Sequence, residues 1–216
     1  MTSLAKTTKG SPSETGKPEM PVKPFATSAA WAGWLEKNHA KSDGLWLQLM
    51  KKGSGVTSIT YAEALDEALC YGWIDGQKRS HDDVSWLQKF TPRRKKSLWS
   101  QVNREKIRML EKAGRLKAAG RAAVEAAKAD GRWDAAYEPQ SKMTIPDDFI
   151  ALLAKNPKAE AFYATLKGAS RYAFLFRLQT VKKPETRLRK MEEFVAMLAR
   201  GEAPHLIAPK KSEKAA

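Results

Sequence analysis

Residues 66–92 read DEALCYGWIDGQKRSHDDVSWLQKFTP, and the fold turns on where their periodicity changes. Just upstream, TYAE at 60–63 fits a capping box, in which Thr60 and Glu63 satisfy each other's backbone amides at a helix start. Tyr61, Leu65, Ala68, Leu69 and Gly72 then share one apolar helical face, and the helix ends near Tyr71 and Gly72. From Trp73 the period is two. WIDGQKRS and VSWLQKF flank the polar turn SHDD, which predicts a β-hairpin.

Working outward toward the N-terminus, GLWLQLMKK (44–52) alternates Leu45, Leu47 and Leu49 against Trp46 and Gln48, a short strand ended by the breaker GSG. KGSGV (52–56) has two glycines but no helix following in register, so it reads as a loop rather than a phosphate cradle. Before it, ATSAAWAGWLEKNH (26–39) offers Thr27 or Ser28 as a cap and Trp31, Trp34 and Leu35 at helical spacing.

Downstream of the hairpin, TPRRKKSLWS (91–100) is a basic loop, and Asn103 is placed to cap a helix carrying Ile107, Leu110 and Ala113 before Gly114. A further helix spans 118–129. Pro146, Pro157 and Pro184 each suit a first helical position, where the missing amide hydrogen costs nothing, so helices are expected near 146–154, 157–167 and 184–200. SRYAFLFRLQTV (170–181) supplies another, and Leu188, Met191, Val195 and Leu198 form the expected buried stripe of the last. The expected class is α+β: a small three-stranded antiparallel sheet near the N-terminus, followed by a mainly helical C-terminal half.

The first 24 residues are rich in Lys, Ser, Thr, Pro and Gly and read as a disordered basic tail, as do 208–216. That leaves one ordered body from 25 to 207, with a helix and sheet part to 100 and a helical part from 101. No apolar run approaches the length of a membrane span and no secretion signal is evident, so a cytoplasmic protein is expected. Cys70 with His39, His81 and His205 shows no metal-ligand spacing, and neither a metal nor a cofactor is expected.

The formal charge is +15 and unevenly spread. Residues 90–121 hold eleven Lys or Arg against two Glu, and 171–190 hold seven against one, whereas 25–89 and 122–170 are each net −1. Such clustering points to an anionic partner, whether an acidic protein, nucleic acid or a phosphorylated ligand, with a solvated, solubilising surface as the open alternative.

Four motifs in order, EALCYGWIDGQ, FTPRRKKSLWSQVNREKIRMLEKAGRL, AAKADGRW and KKPETRLRKMEEFVAML, resemble the bacterial YdeI/OmpD-associated family, also called bacteriocin-protection-like, over residues 25–201. The resemblance implies an accessory protein linked to resistance against bacteriocins or antimicrobial peptides, from a family for which no reaction, cofactor or catalytic residue is established; a non-enzymatic binding role is the expectation. One departure is local. Where the family tends to place Thr after GRM or GRL, this chain has Lys117, which removes a helix cap.

Several residues are candidates for function. Cys70 is a nucleophile in principle, but it lies near the buried face of its helix, where Cys commonly packs. Trp73 and Asp75 share one sheet face by alternation. Asp75 either accepts from backbone amides or from an arginine of the basic loop, such as Arg93 or Arg94, tying loop to hairpin, or faces a ligand, with a general base in a small-molecule enzyme as the extreme case. Residues 86–99 interleave Trp86, Phe90 and Trp99 with Lys89, Arg93, Arg94, Lys95 and Lys96, the mixture of stacking rings and cations used on single-stranded nucleic acid. Residues 103–128 have the outline of a helix-turn-helix whose cations, Arg104 first, can line a phosphate backbone.

Overall fold

A computed structural model describes residues 20–204; the expectations for 1–19 and for the tail from 208 lie outside the described residues. The chain divides into two compact units, the first ending at Arg93 and the second starting at Arg94.

The first unit runs β1 (Val22–Pro24), α1 (Ser28–Asn38), β2 (Leu45–Met50), α2 (Tyr61–Cys70), β3 (Trp73–Ser80) and β4 (Ser85–Pro92). Its sheet has the order β1-β2-β4-β3, with β1 parallel to β2 and the other pairs antiparallel. The expected three-stranded antiparallel sheet is therefore corrected to a four-stranded mixed one. The added strand lies in the segment read as tail, because all three of its side chains are exposed and its contribution is backbone pairing, which apolar patterning does not reveal. Pro24 is tolerated there as an edge residue without an amide donor.

The helices start where the sequence places them. Thr27 Oγ1 accepts from the Ala30 amide at 3.2 Å, and Thr60 and Glu63 form the complete capping box. Both helices pack on the sheet face that carries Leu45, Leu47, Leu49, Trp73 and Phe90. Trp31 is fully buried there, 5.7 Å from Phe90 and 6.2 Å from Trp73 between ring centroids, and its indole donates to the Ala64 carbonyl at 3.0 Å. The turn into β2 needs a glycine: Gly44 has φ +135°, and a Cβ there would meet the Phe90 carbonyl oxygen at 2.6 Å.

Strand register decides which side chains meet. Asp75 stands opposite Phe90 and Lys78 opposite Gln88, so β3 contains one more residue than β4 in that interval. This bulge, at Gly76 and Gln77, reverses the alternation: Lys78 and Ser80 join Trp73, Asp75 and Trp86 on the helix-bearing face, and Arg79 turns to the other. The Gln88 side chain holds the bulge, donating to the Gly76 and Gln77 carbonyls at 2.9 and 3.2 Å.

The second unit contains α3 (Gln101–Lys112), α4 (Ala118–Ala129), α5 (Asp147–Leu153), α6 (Pro157–Thr165), α7 (Gly168–Gln179) and α8 (Pro184–Ala199). Ser100, not Asn103, caps α3. Ser100 is the extended residue, and its hydroxyl accepts from the Asn103 amide at 3.1 Å, while Asn103 itself is buried in the first turn. Lys117 precedes α4 with no side-chain cap. Pro157 and Pro184 open α6 and α8, but Pro146 has extended geometry and stands one position before α5.

Helices α5 to α8 enclose a core of Phe149, Leu153, Tyr163, Phe174, Leu178, Met191, Phe194 and Leu198. The stripe expected on α8 is rotated: Phe194 replaces Val195 at its centre and Leu188 is 50% exposed. The Phe194 ring meets Phe174 edge-on at 4.9 Å and Phe149 at 6.5 Å, and seating the larger ring inside turns Leu188 outward.

Candidate functional site

The ten residues singled out from the sequence occupy different kinds of place. Trp73 and Phe90 are in the core of the first unit, 1% and 0% exposed, and the Trp73 indole donates to the His39 carbonyl at 3.1 Å. Trp99 is equally buried and meets Trp133 edge-on at 4.9 Å in the second unit. These three rings offer no face for a base to stack on. Cys70 is buried as well.

Asp75 is half-buried, and its carboxylate accepts a 2.8 Å hydrogen bond from the Tyr61 hydroxyl. The arginine partner expected for it is thus a tyrosine, supplied by the first residue of α2. Arg93 instead closes the first unit by giving its backbone amide to the Gly72 carbonyl at 3.0 Å.

Trp86 alone of the aromatic candidates keeps an accessible face. It lies at the end of the sheet that α2 leaves uncovered, because that helix begins only at Tyr61, 6.2 Å away between centroids. Two adjoining clefts of about 530 and 410 Å³ meet at this ring and share Met50, Lys51, Lys52 and Trp86. The larger is walled by loop 53–60 and Tyr61, the smaller by Lys78 and Ser80. The loop folds back on the strand it leaves, with the Met50 amide donating to Ser58 Oγ at 3.4 Å.

The charges around Trp86 are one-sided. The Lys78 ammonium lies 4.3 Å from the ring centroid, a cation-π contact, and Lys51 Nζ is fixed by the Asp82 and Asp83 carbonyls at 2.9 and 3.1 Å. Lys52 and Lys78 pair with no carboxylate among the described residues. Two of the nearby acids, Glu63 and Asp82, are already engaged. Glu63 accepts from the Thr60 hydroxyl and amide, which hold its carboxyl below the usual range. Asp82 accepts from the Ser85 hydroxyl and from the Val84 and Ser85 amides, with the same effect. Lys51, Lys52, Lys78 and Tyr61 were not singled out from the sequence; only the bulged register brings Lys78 to this face.

In the second unit, Arg94, Lys95 and Lys96 are exposed on the loop before α3. Arg104, Arg108 and Lys112 follow at four-residue intervals along α3, and Lys117 and Arg121 continue into α4. Arg104 reaches Asp134 at 3.7 Å and lies 5.2 Å from the Trp133 ring centroid; Arg121 reaches Glu111 at 3.5 Å. Arg94, Lys95, Lys96, Arg108, Lys112 and Lys117 have no carboxylate partner among the described residues. The same helix exposes Val102 and Met109, 41% and 63%, seven residues apart on one face.

Among the described residues there is no group of three or more His, Cys, Asp or Glu that could hold a metal, and no helix is long and apolar enough to cross a membrane. Residues 23–123 match a family described only as a domain of unknown function. No curated protein and no solved structure matches the chain. The second family match is narrower than the resemblance over residues 25–201, and it falls on α5 to α8. Residues 142–201, where the KKPETRLRKMEEFVAML motif lies, match a family described as bacteriocin-protection, YdeI or OmpD-associated.

Proposed function

We propose that this is a non-enzymatic accessory protein that binds an acidic partner protein through the basic surface of loop 94–96 and α3, in the setting of bacteriocin or antimicrobial-peptide resistance. The observation that carries this reading is the run of exposed cations without carboxylate partners. Arg108 and Lys112, one helical turn apart, are exposed, have no carboxylate partner among the described residues and repel one another, so folding gives no reason for them. An anionic surface does. The family description supplies the resistance setting.

Val102 and Met109 favour an acidic protein over nucleic acid, since exposed apolar side chains beside cations suit a mixed protein surface and gain nothing from a phosphate backbone. Phe90 and Trp99, needed for stacking, are in the cores of their units. The catalytic alternative through Asp75 also draws little support, because Asp75 is held by Tyr61 and does not line the Trp86 cleft.

The test is binding to polyglutamate and to a single-stranded RNA oligonucleotide, followed by fluorescence anisotropy at increasing salt. Wild type should bind polyglutamate with a steep salt dependence, and a variant with Arg94, Lys95, Lys96, Arg108 and Lys112 changed to Ala should lose that binding. Tighter binding of the RNA, lost in the same variant, would move the assignment to nucleic acid. No binding of either at low salt would overturn the reading.

A further inference from the structure

We infer that the Trp86 cleft of the first unit is a second, separate binding site, for a small anion carrying a flat ring. Three independent features lead there. The first is space: the adjoining volumes of about 530 and 410 Å³ lie in the range of small-molecule sites. The second is an aromatic surface left half-exposed at the one end of the sheet that α2 does not cover, with Tyr61 beside it.

The third is charge. Lys51, Lys52 and Lys78 come from the end of β2 and from β3, and no carboxylate lines either cleft. Gathering them has a structural cost, because three cationic side chains lining one cleft repel one another. The bulge at Gly76 and Gln77 is what puts Lys78 there; regular alternation would place it on the opposite face. Lys51 is held in place by two backbone carbonyls, whereas the Lys52 and Lys78 ammonium groups have no hydrogen bond or ion pair among the described residues, and Lys78 rests on the indole.

That arrangement suits a ligand with two parts. Its anionic group is met by Lys52 and Lys78. Drawing the Lys78 ammonium toward the anion uncovers the face of Trp86 on which a flat ring then stacks. The hydroxyls of Thr57 and Ser80 at the cleft walls are available to polar atoms on the ring. A phosphate ester and a carboxylate share this chemistry, and a binding experiment separates them.

The experiment is isothermal titration calorimetry of the full chain at low salt with AMP, 1-naphthoate, adenosine and inorganic phosphate. At least one of AMP and 1-naphthoate should bind, and which one does so assigns phosphate or carboxylate. Adenosine and inorganic phosphate, each carrying half of the recognition, should bind at least about tenfold more weakly than AMP if AMP is bound. The Lys52→Ala/Lys78→Ala variant, altered only at exposed side chains, should lose affinity at least about tenfold, and Trp86→Leu should lose it for the ring-bearing anion alone. A variant with Arg94, Lys95 and Lys96 changed to Ala should bind as wild type, which separates this site from the basic surface of the second unit. The inference is overturned if neither aromatic anion binds, if inorganic phosphate binds as well as AMP, or if the Lys52/Lys78 variant is unaffected.

Discussion

Arg187 grips Asp148 with two arms of its guanidinium, Nε to Oδ2 and Nη2 to Oδ1 at 2.8 Å each, while its Nη1 donates to the Leu178 carbonyl at 2.6 Å. One side chain of α8 thereby joins the first turn of α5 and the last turn of α7. The contact lies within the segment that matches the bacteriocin-protection family. Bidentate pairs of this kind are shorter and stronger than neutral hydrogen bonds.

The pair should be visible in stability. Its hydrogen bond to Arg187 holds the Asp148 carboxyl below the usual carboxylate range. A carboxyl depressed in the folded state contributes stability that is fully present above the unfolded value, about 3.9, and is lost as pH falls through the folded value. Asp148→Asn should therefore cost stability at neutral pH and flatten the loss of stability below about pH 4. Arg187→Ala also orphans the Leu178 carbonyl and should cost more, about 1 to 3 kcal/mol, discounted toward the lower end because the Asp148 side chain is 46% exposed. Urea unfolding of both variants between pH 3 and pH 7 measures this, with an equal slope in wild type and Asp148→Asn as the contrary result.

Lys117 offers the opposite experiment, a gain. It stands at the cap of α4 in extended geometry, φ −87° and ψ 167°, yet contributes no side-chain hydrogen bond. The backbone is already arranged for a cap that the side chain cannot supply. Lys117→Thr should raise stability by about 0.5 to 1 kcal/mol, and it also removes a cation from the positive N-terminal end of the helix. A lower melting temperature by calorimetry would show that Lys117 makes a compensating contact.

Much of this architecture was legible because local signals and tertiary packing agree. The capping box at Thr60 and Glu63, the hairpin from Trp73 and the prolines at 157 and 184 all state their structures in a few adjacent residues. What was not legible depends on neighbours distant in sequence. β1 shows no apolar pattern because it contributes only backbone pairing. Phe194 displaces Val195 from the interior because Phe149 and Phe174 are waiting there, and helical spacing alone fits either residue. The Trp86 cleft is the clearest case. Residues 25–89 count as net −1, so the cationic cluster vanishes in a linear sum, and strict alternation assigns Lys78 to the wrong face until the bulge is known.

The link between Tyr61 and Asp75 decides how the end of the hairpin is held. Tyr61 opens α2 and Asp75 follows Trp73 in β3, so their 2.8 Å bond spans the helix and the sheet beside the Trp86 cleft. If its role is to hold these elements, Asp75→Ala and Tyr61→Phe should each lower stability modestly, by about 0.5 to 1.5 kcal/mol, and the double variant should cost less than their sum. If Asp75 instead serves a ligand, both singles should melt as wild type while ligand affinity falls. A double-mutant cycle by urea unfolding separates the two, and an additive cycle with full single costs would mean that the hydroxyl and carboxylate act through other partners.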